Sequence, residues 1–198
     1  MAWTFYNASG EAMFIDGGLS NVVEDTTPQL GANLDMNDFG LAFPATQSAD
    51  AGANVLDDYE EGTFTPTLLD NTLSASESQG YGTQLGFYTK IGNRVLWSLT
   101  LVMSSVGSLT TSQQARVGGL PFVAQNTTSL FGSAYTGFGN DLNMGAASTG
   151  PISGSIAPNT SYISLWEWDA TTGINSVLIS EVSADGSLYM AGQYQTAT

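Results

Sequence analysis

The sequence predicts an all-β protein, in which an extended N-terminal stem precedes a C-terminal β-sandwich or jelly-roll domain, assembled as a trimer. Short β-patterned runs separated by Gly, Ser and Asn turns follow one another from residue 61 onward, which is typical of these folds. No repeat appears at the spacing of a solenoid or propeller. The chain before residue 61 is acidic and irregular. We therefore expect a hairpin over residues 1–25, a stem or linker over 26–60, and the β-sandwich over 61–198.

Charge is distributed unevenly along the chain. Its 198 residues carry 18 acids and 3 Lys or Arg, a formal net charge of −15, and the basic residues all follow residue 61. Such a surface repels nucleic acid, anionic lipid and many bacterial polysaccharides, so we expect neither nucleic-acid binding nor membrane insertion. We also expect no secretory signal at Met1. Cysteine and histidine are absent, which excludes disulfides and removes the commonest general base and metal ligand.

The first element is a predicted hairpin. Two short β-like runs, residues 3–6 and 12–15, flank an Asn-Ala-Ser-Gly turn at residues 7–10. An isolated two-stranded hairpin is marginal in water, and this one carries many apolar side chains. We expect them to be buried against a partner; the alternative is that they fold back on the same chain.

The next segment, residues 17–53, fits neither a helix nor a strand. Its apolar residues recur every two to four positions: Leu30, Leu34, Met36, Phe39, Leu41 and Phe43. A run this long without regular structure is unusual inside a compact domain. Three copies stacked about a common axis can bury these residues where one copy cannot, so the sequence favours a homotrimer. A short helix near residues 54–59 is only weakly indicated.

Strand signals become regular after residue 62. The clearest half-buried strand runs from Val95 to Met103, with a tight turn at Gly92-Asn93 before it. Pro66 limits the run at residues 63–68 to an edge or a strand end. Asp185-Gly186 is predicted as a second hairpin turn. The other predicted strands are 86–91, 114–117, 120–124, 129–135, 153–156, 162–168, 176–182 and 187–194.

Two groups of acids raise the question of metal binding or catalysis. Asp57, Asp58, Glu60 and Glu61 form the densest cluster, and Ca²⁺ takes several oxygen ligands, although the spacing is not that of an EF-hand. The alternative is a solvated cluster or an ion pair with Lys90 or Arg94. Glu167 and Asp169 flank Trp168 and suggest the paired carboxylates of a glycosidase. The short chain argues against a long substrate groove, so we expect no enzyme and no required cofactor.

Aromatic residues form a candidate sugar-binding surface. Tyr162, Trp166 and Trp168 share one parity on a predicted strand, while Ile163 and Leu165 share the other. If the aliphatic pair faces the core, the rings face outward, where they can stack on sugars. The alternative is that they pack on a second sheet or a neighbouring protomer. Tyr135 lies in a glycine-rich region at residues 132–150, predicted to be an adaptable loop.

Three motifs in order give a family resemblance. The run NVLDDYEEGTFTPTL at residues 54–68 is followed by FYTKIGNRV at residues 87–95, and then by Leu120-Pro121-Phe122. This set resembles the distal domains of tailed-bacteriophage fibre and appendage proteins. The opening MAWTFYNASG and the run EDTTPQLG at residues 24–31 resemble the N-terminal part of short fibres of marine phages.

The resemblance implies a role as well as a fold. It implies a trimeric virion structural protein that docks to other virion proteins of tail, neck or capsid by its N-terminal hairpin, through Trp3, Phe5, Tyr6 and Phe14. It also implies contact with a host surface glycan, for which Tyr135, Tyr162, Trp166 and Trp168 are the candidates. Two alternatives stay open: a capsid decoration or adaptor protein without receptor binding, and a polysaccharide-cleaving spike.

Overall fold

A computed structural model describes residues 5–6, 12–13, 42–43, 56, 58–144, 150–169 and 173–197. The chain divides into two compact units, Met1–Ala42 and Phe43–Thr198. Within the described residues, no helix has the length and apolar character needed to cross a membrane.

The first unit contains the predicted hairpin. Its strands, β1 (Phe5–Tyr6) and β2 (Ala12–Met13), pair antiparallel. Phe5 lies opposite Met13 and Tyr6 lies opposite Ala12. The predicted turn at residues 7–10 lies outside the described residues.

The second unit is built almost entirely of antiparallel strands. They are β3 (Tyr59–Phe64), β4 (Thr67–Leu69), β5 (Gly80–Ile91), β6 (Arg94–Ser105), β7 (Arg116–Gly118), β8 (Gly132–Asn140), β9 (Ser153–Ile156), β10 (Ile163–Asp169), β11 (Gly173–Ser176) and β12 (Ser187–Gln195). A single turn of helix, α1 (Ile179–Val182), precedes β12. The prediction of an all-β fold is therefore confirmed.

These strands form one continuous sheet that curls on itself. The strand order is β3-β5-β6-β12-β8-β9-β10-β7-β4, with β11 paired to β10. Strands β3 and β4 lie at opposite ends of this order, yet only Thr65 and Pro66 separate them in the chain. The sheet must therefore curl until its two ends meet. Two halves of one curled sheet replace the two separate sheets of the predicted sandwich.

The core fills the inside of this curl. Along β6 every second residue is buried, from Val95 to Met103, as the sequence predicts. Inward residues of the other strands complete the core, including Leu68, Val117, Ile156, Ile163, Leu165, Leu188 and Met190. Each strand therefore has an inner face on the core and an outer face that is free of it.

Two predicted strands are wrong. Residues 120–124 form an irregular segment, because Pro121 has no N–H to donate and the neighbouring backbone groups bond elsewhere: Leu120 N–H to Ser161 and Ala124 N–H to Thr160. Residues 179–182 form α1, because the Glu181 carboxylate accepts a hydrogen bond from the Leu178 N–H at 2.7 Å and closes a helical turn. The predicted hairpin at Asp185-Gly186 therefore joins a helix to a strand.

Two other boundaries also differ from prediction. The run at residues 63–68 breaks at Thr65-Pro66 into β3 and β4. The first half of the predicted glycine-rich loop is strand β8, which lies between β12 and β9. Backbone pairing on both sides holds these glycines in an extended conformation that local propensity disfavours.

Candidate binding surface

The three sequence motifs meet at one place inside the curl. Asp58, from the first motif, forms an ion pair with Lys90, from the second. Both side chains are almost fully buried, at 7% and 5% exposure. The Asp58 carbonyl also accepts a hydrogen bond from the Gly92 N–H at 2.9 Å. The pair fixes the chain entering β3 to the β5–β6 hairpin.

Tyr88 extends this cluster along the same face. It lies opposite Gly62, and a Cβ at Gly62 would come within 2.6 Å of the Tyr88 ring, so only glycine allows the ring to lie there. The Tyr88 hydroxyl donates a hydrogen bond to Glu60. Partial burial, that hydrogen bond and the Glu60 charge together raise the pKa of Tyr88 to about 12.

Phe122 of the third motif packs against the other side chains of the cluster. The Phe122 ring meets Tyr88 edge-on at 5.3 Å between centroids, and the Lys90 Nζ lies 5.7 Å from the Phe122 centroid. Tyr194 of β12 holds this segment in place: its hydroxyl donates to the Phe122 carbonyl at 3.0 Å and accepts from the Phe122 N–H at 3.1 Å. The motifs are thus spaced to build one packed polar cluster.

This arrangement gives the predicted acidic cluster other partners. Asp58 pairs with Lys90, Glu60 accepts from Tyr88, and Glu61 accepts from the Tyr59 hydroxyl. Glu60 and Glu61 are neighbours on a strand, so their side chains leave opposite faces. Asp57 lies outside the described residues. Among described residues, no group of three or more acids is arranged as a metal site. Calcium binding stays a prediction.

The outer face of the sheet carries a row of exposed apolar side chains. Phe87 is 51% exposed and Tyr135 is 62% exposed. The register places Phe87 opposite Ser98, Ser98 opposite Ala191, and Ala191 opposite Tyr135. Two rings therefore stand at either end of a stretch of small residues. Other exposed apolar residues share this face, among them Leu85, Leu96, Phe138 and Tyr189.

Three grooves adjoin along this row and form what we call the outer trough. The first, about 240 Å³, lies between Phe87 and Leu96. The second, about 280 Å³, lies between Leu96 and Tyr135. The third, about 140 Å³, lies beside Arg94 and Phe131. Leu96 lines the first two, while Ser133 and Gln193 line the last two. Among the described residues, no acid lines any of the three.

The predicted glycan-contact residues fall into two groups. Tyr135 lines the outer trough, and Trp168 is 50% exposed and lies opposite Ile174 of β11. Trp166 is half-buried, and its Nε1–H donates to the Ser155 hydroxyl at 2.8 Å. Tyr162 is half-buried beneath the Arg116 guanidinium, whose carbon lies 4.9 Å from the ring centroid. Ile163 and Leu165 face the core, as the parity predicts.

Glu167, one of the two predicted acids, is not displayed on this surface. Glu167 lies on the inner side of β10, is 6% exposed, and leaves its Oε2 without a hydrogen-bond partner in the described chain. Its cross-strand neighbour is Asn175. Of the predicted docking residues, Phe5 and Tyr6 lie in β1, whereas Trp3 and Phe14 lie outside the described residues.

Sequence reasoning missed most of the outer trough. Phe87, Leu96, Gln193 and Arg94 come from three strands, and only the register brings them together. One signal was available: Phe87 and Leu96 have the opposite parity to the buried residues of their strands. In a half-buried strand, an apolar residue of the outward parity indicates an exposed contact surface.

The fold is similar to part of a solved phage protein. A crystal structure of the Dettilon tailspike protein superposes on this chain with a TM-score of 0.56 at 21% identity. The match covers 69% of this chain and 24% of the tailspike chain, so this chain spans about a quarter of it. No protein-family model matches the sequence. No curated protein matches it either. The likeness supports a shared curled β fold.

Proposed function

We propose that this chain is a bacteriophage virion structural protein, a trimeric fibre or appendage that docks by its N-terminus and contacts the host cell surface. The observation that carries the proposal is the curled β fold that the chain shares with part of a tailspike protein. The three motifs of the phage-fibre resemblance support it, because they form one packed cluster in this fold.

Docking and trimerisation are assigned to the N-terminal part. The hairpin of β1 and β2 has only two residues per strand, too few for independent stability, and this favours a partner on the particle. The stem at residues 26–60 contains both apolar and acidic side chains. Association of three copies would bury the apolar ones. A basic socket, salt or divalent cations would offset the repulsion between the acidic stems.

Host contact is assigned to the outer face of the sheet. Monomeric proteins rarely expose so many neighbouring aromatic and aliphatic side chains without a partner. We assign binding without cleavage, because Glu167 is buried on the inner face and the described residues that line the outer trough include no general acid.

Two experiments test the assignment. Size-exclusion chromatography with light scattering of the purified full chain should give the mass of three copies. A stable monomer with an intact fold would refute the trimer. Deleting residues 1–20 should abolish incorporation into virions while the far-ultraviolet circular dichroism of the β-domain is kept. Incorporation of the truncated protein would show that the docking end is wrong.

A further inference from the structure

Arg94 is an exposed cation of an acidic protein. The chain has 18 acids and 3 Lys or Arg. Lys90 is buried in its ion pair and Arg116 lies over Tyr162. Arg94 is exposed, and within the described part of the chain no carboxylate pairs with it. Where acids outnumber bases this strongly, a free guanidinium indicates a binding group rather than a structural one.

Arg94 lies at one end of the outer trough, next to polar side chains that make no hydrogen bond within the described residues. Ser133, Gln193 and Gln195 line the same groove as Arg94. Their side chains make no hydrogen bond within the described residues. Phe131 forms an apolar wall of this groove and is 60% exposed. The groove therefore offers a cation, hydroxyl and amide hydrogen bonds, and an aromatic face.

These groups match one class of ligand. A second protein chain would have to bury the unpaired polar groups, which is costly without matched partners. A saccharide carries hydroxyls that satisfy Ser and Gln, and ring faces that pack on Phe131 and Tyr135. The planar fork of Arg94 binds a carboxylate through two parallel hydrogen bonds. A phosphate monoester carries about twice the charge of a carboxylate and would be repelled more strongly by this acidic chain.

We propose that the outer trough binds an oligosaccharide with an acidic sugar, whose carboxylate pairs with Arg94 while neutral sugars extend past Tyr135 toward Phe87. This inference rests on the proposed function for the biological source of the glycan, which is the host surface. It adds the class of ligand, its direction along the sheet and the residue that recognises its charge.

The net charge of −15 gives the affinity for an acidic ligand a distinctive dependence on salt. The Debye length is about 8 Å at 0.15 M ionic strength and roughly 30 Å at 0.01 M, so distant acids repel the ligand only at low salt. Contact between a carboxylate and Arg94 is screened less than these distant charges. Binding should therefore strengthen from 0.01 M to 0.15 M salt, the reverse of an ordinary surface ion pair.

The test uses sialyllactose, which has one carboxylate, and lactose as its neutral counterpart. Affinity of the full chain is measured by ligand-observed NMR titration at both salt concentrations. Removing a charge-assisted hydrogen bond costs about 1.5–3 kcal/mol, so Arg94→Gln should weaken sialyllactose binding roughly tenfold to hundredfold. Tyr135→Ala should weaken it by about two- to tenfold.

Phe138→Ala is the matched control, since Phe138 is an exposed ring of the same strand as Tyr135 that lines none of the three grooves. It should leave affinity unchanged. Equal binding of lactose, or undiminished binding by Arg94→Gln, would overturn the proposal, as would no binding of sialyllactose. Immunogold labelling of virions separates the two claims. If virions are labelled but the outer trough does not bind sialyllactose, only this inference is refuted. If the outer trough binds sialyllactose but virions are not labelled, only the proposed function is refuted.

Discussion

Replacing Lys90 by methionine should destabilise the β-domain more than any other change of a single charge in the described chain. The substitution keeps an unbranched side chain that is one atom shorter and removes the charge, which leaves Asp58 buried without its cation. Removing one partner of a buried ion pair costs about 3–5 kcal/mol. The lost contact with Phe122, whose ring centroid is 5.7 Å from Nζ, adds about 0.5–1 kcal/mol.

The measurement is urea unfolding followed by tryptophan fluorescence, since buried Trp97 reports on the core. The midpoint should fall while the m value stays constant. For a domain of this size each kcal/mol shifts the melting temperature by about 2–4 °C, so a drop of roughly 7–24 °C is expected. Arg94→Met is the matched control, because Arg94 is an exposed cation on the same hairpin; it should change stability by less than about 0.5 kcal/mol.

A double variant separates the ion pair from the packing. Asp58→Leu combined with Lys90→Met removes both charges, and replacing a buried pair by apolar groups is often neutral or stabilising. The double variant should therefore be more stable than Lys90→Met alone, with a coupling of at least about 2 kcal/mol. If the two single costs simply add, or if Lys90→Met costs no more than Arg94→Met, the ion pair does not hold the motifs together.

Three further outcomes are expected. Asp70→Asn should cost about 1–3 kcal/mol at neutral pH, because Asp70 accepts a hydrogen bond from the Thr110 N–H at 2.9 Å. Burial alone would raise the pKa of Asp70, but hydrogen bonds from Thr110 and Thr72 lower it below 3.8. The stabilisation from Asp70 is therefore full above pH 3.8 and is lost as pH falls through the lower pKa of the folded state. In Asp70→Asn, the urea midpoint should depend less on pH across the acid range. Tyr88 has its pKa raised from 10.0 to about 12, so its stabilisation is full below pH 10 and lost toward pH 12; Tyr88→Phe should remove this alkaline step in circular dichroism titrations. Gly62→Ala should cost about 1–3 kcal/mol in urea unfolding by displacing the Tyr88 ring, and a cost near zero would contradict the close packing.

Local pattern predicted the parts of the fold that local forces decide. The predicted alternation from Val95 to Met103 and the predicted Gly92-Asn93 turn are present. Of the alternatives for the acidic cluster, an ion pair with Lys90 is present. Each depends on residues close in sequence or on charges with few possible partners. Gly92 has φ +56°, a conformation that glycine adopts without strain.

The remaining features depend on pairing between distant strands. The first half of β5, from Gly80 to Leu85, has glycine and polar residues, and pairing with β6 extends the strand beyond its local propensity. The sheet order also places β12 between β6 and β8. Nothing in the local pattern of β12 specifies these neighbours, so the outer trough could not be read from the sequence.

Adjacent positions of a strand face opposite sides of the sheet, and in this domain one side stabilises the fold while the other forms the proposed binding surface. Lys90 and Arg94 flank the same turn, but Lys90 pairs with Val95 and faces the core, whereas Arg94 pairs with Ile91 and faces outward. The same alternation sends Tyr88 into the motif cluster and Phe87 into the outer trough. A shift of one residue in the register would exchange these roles and place Arg94 in the core without a partner. The buried Asp58–Lys90 pair opposes such a shift, so the cluster that stabilises the inner face also fixes which side chains the outer face presents.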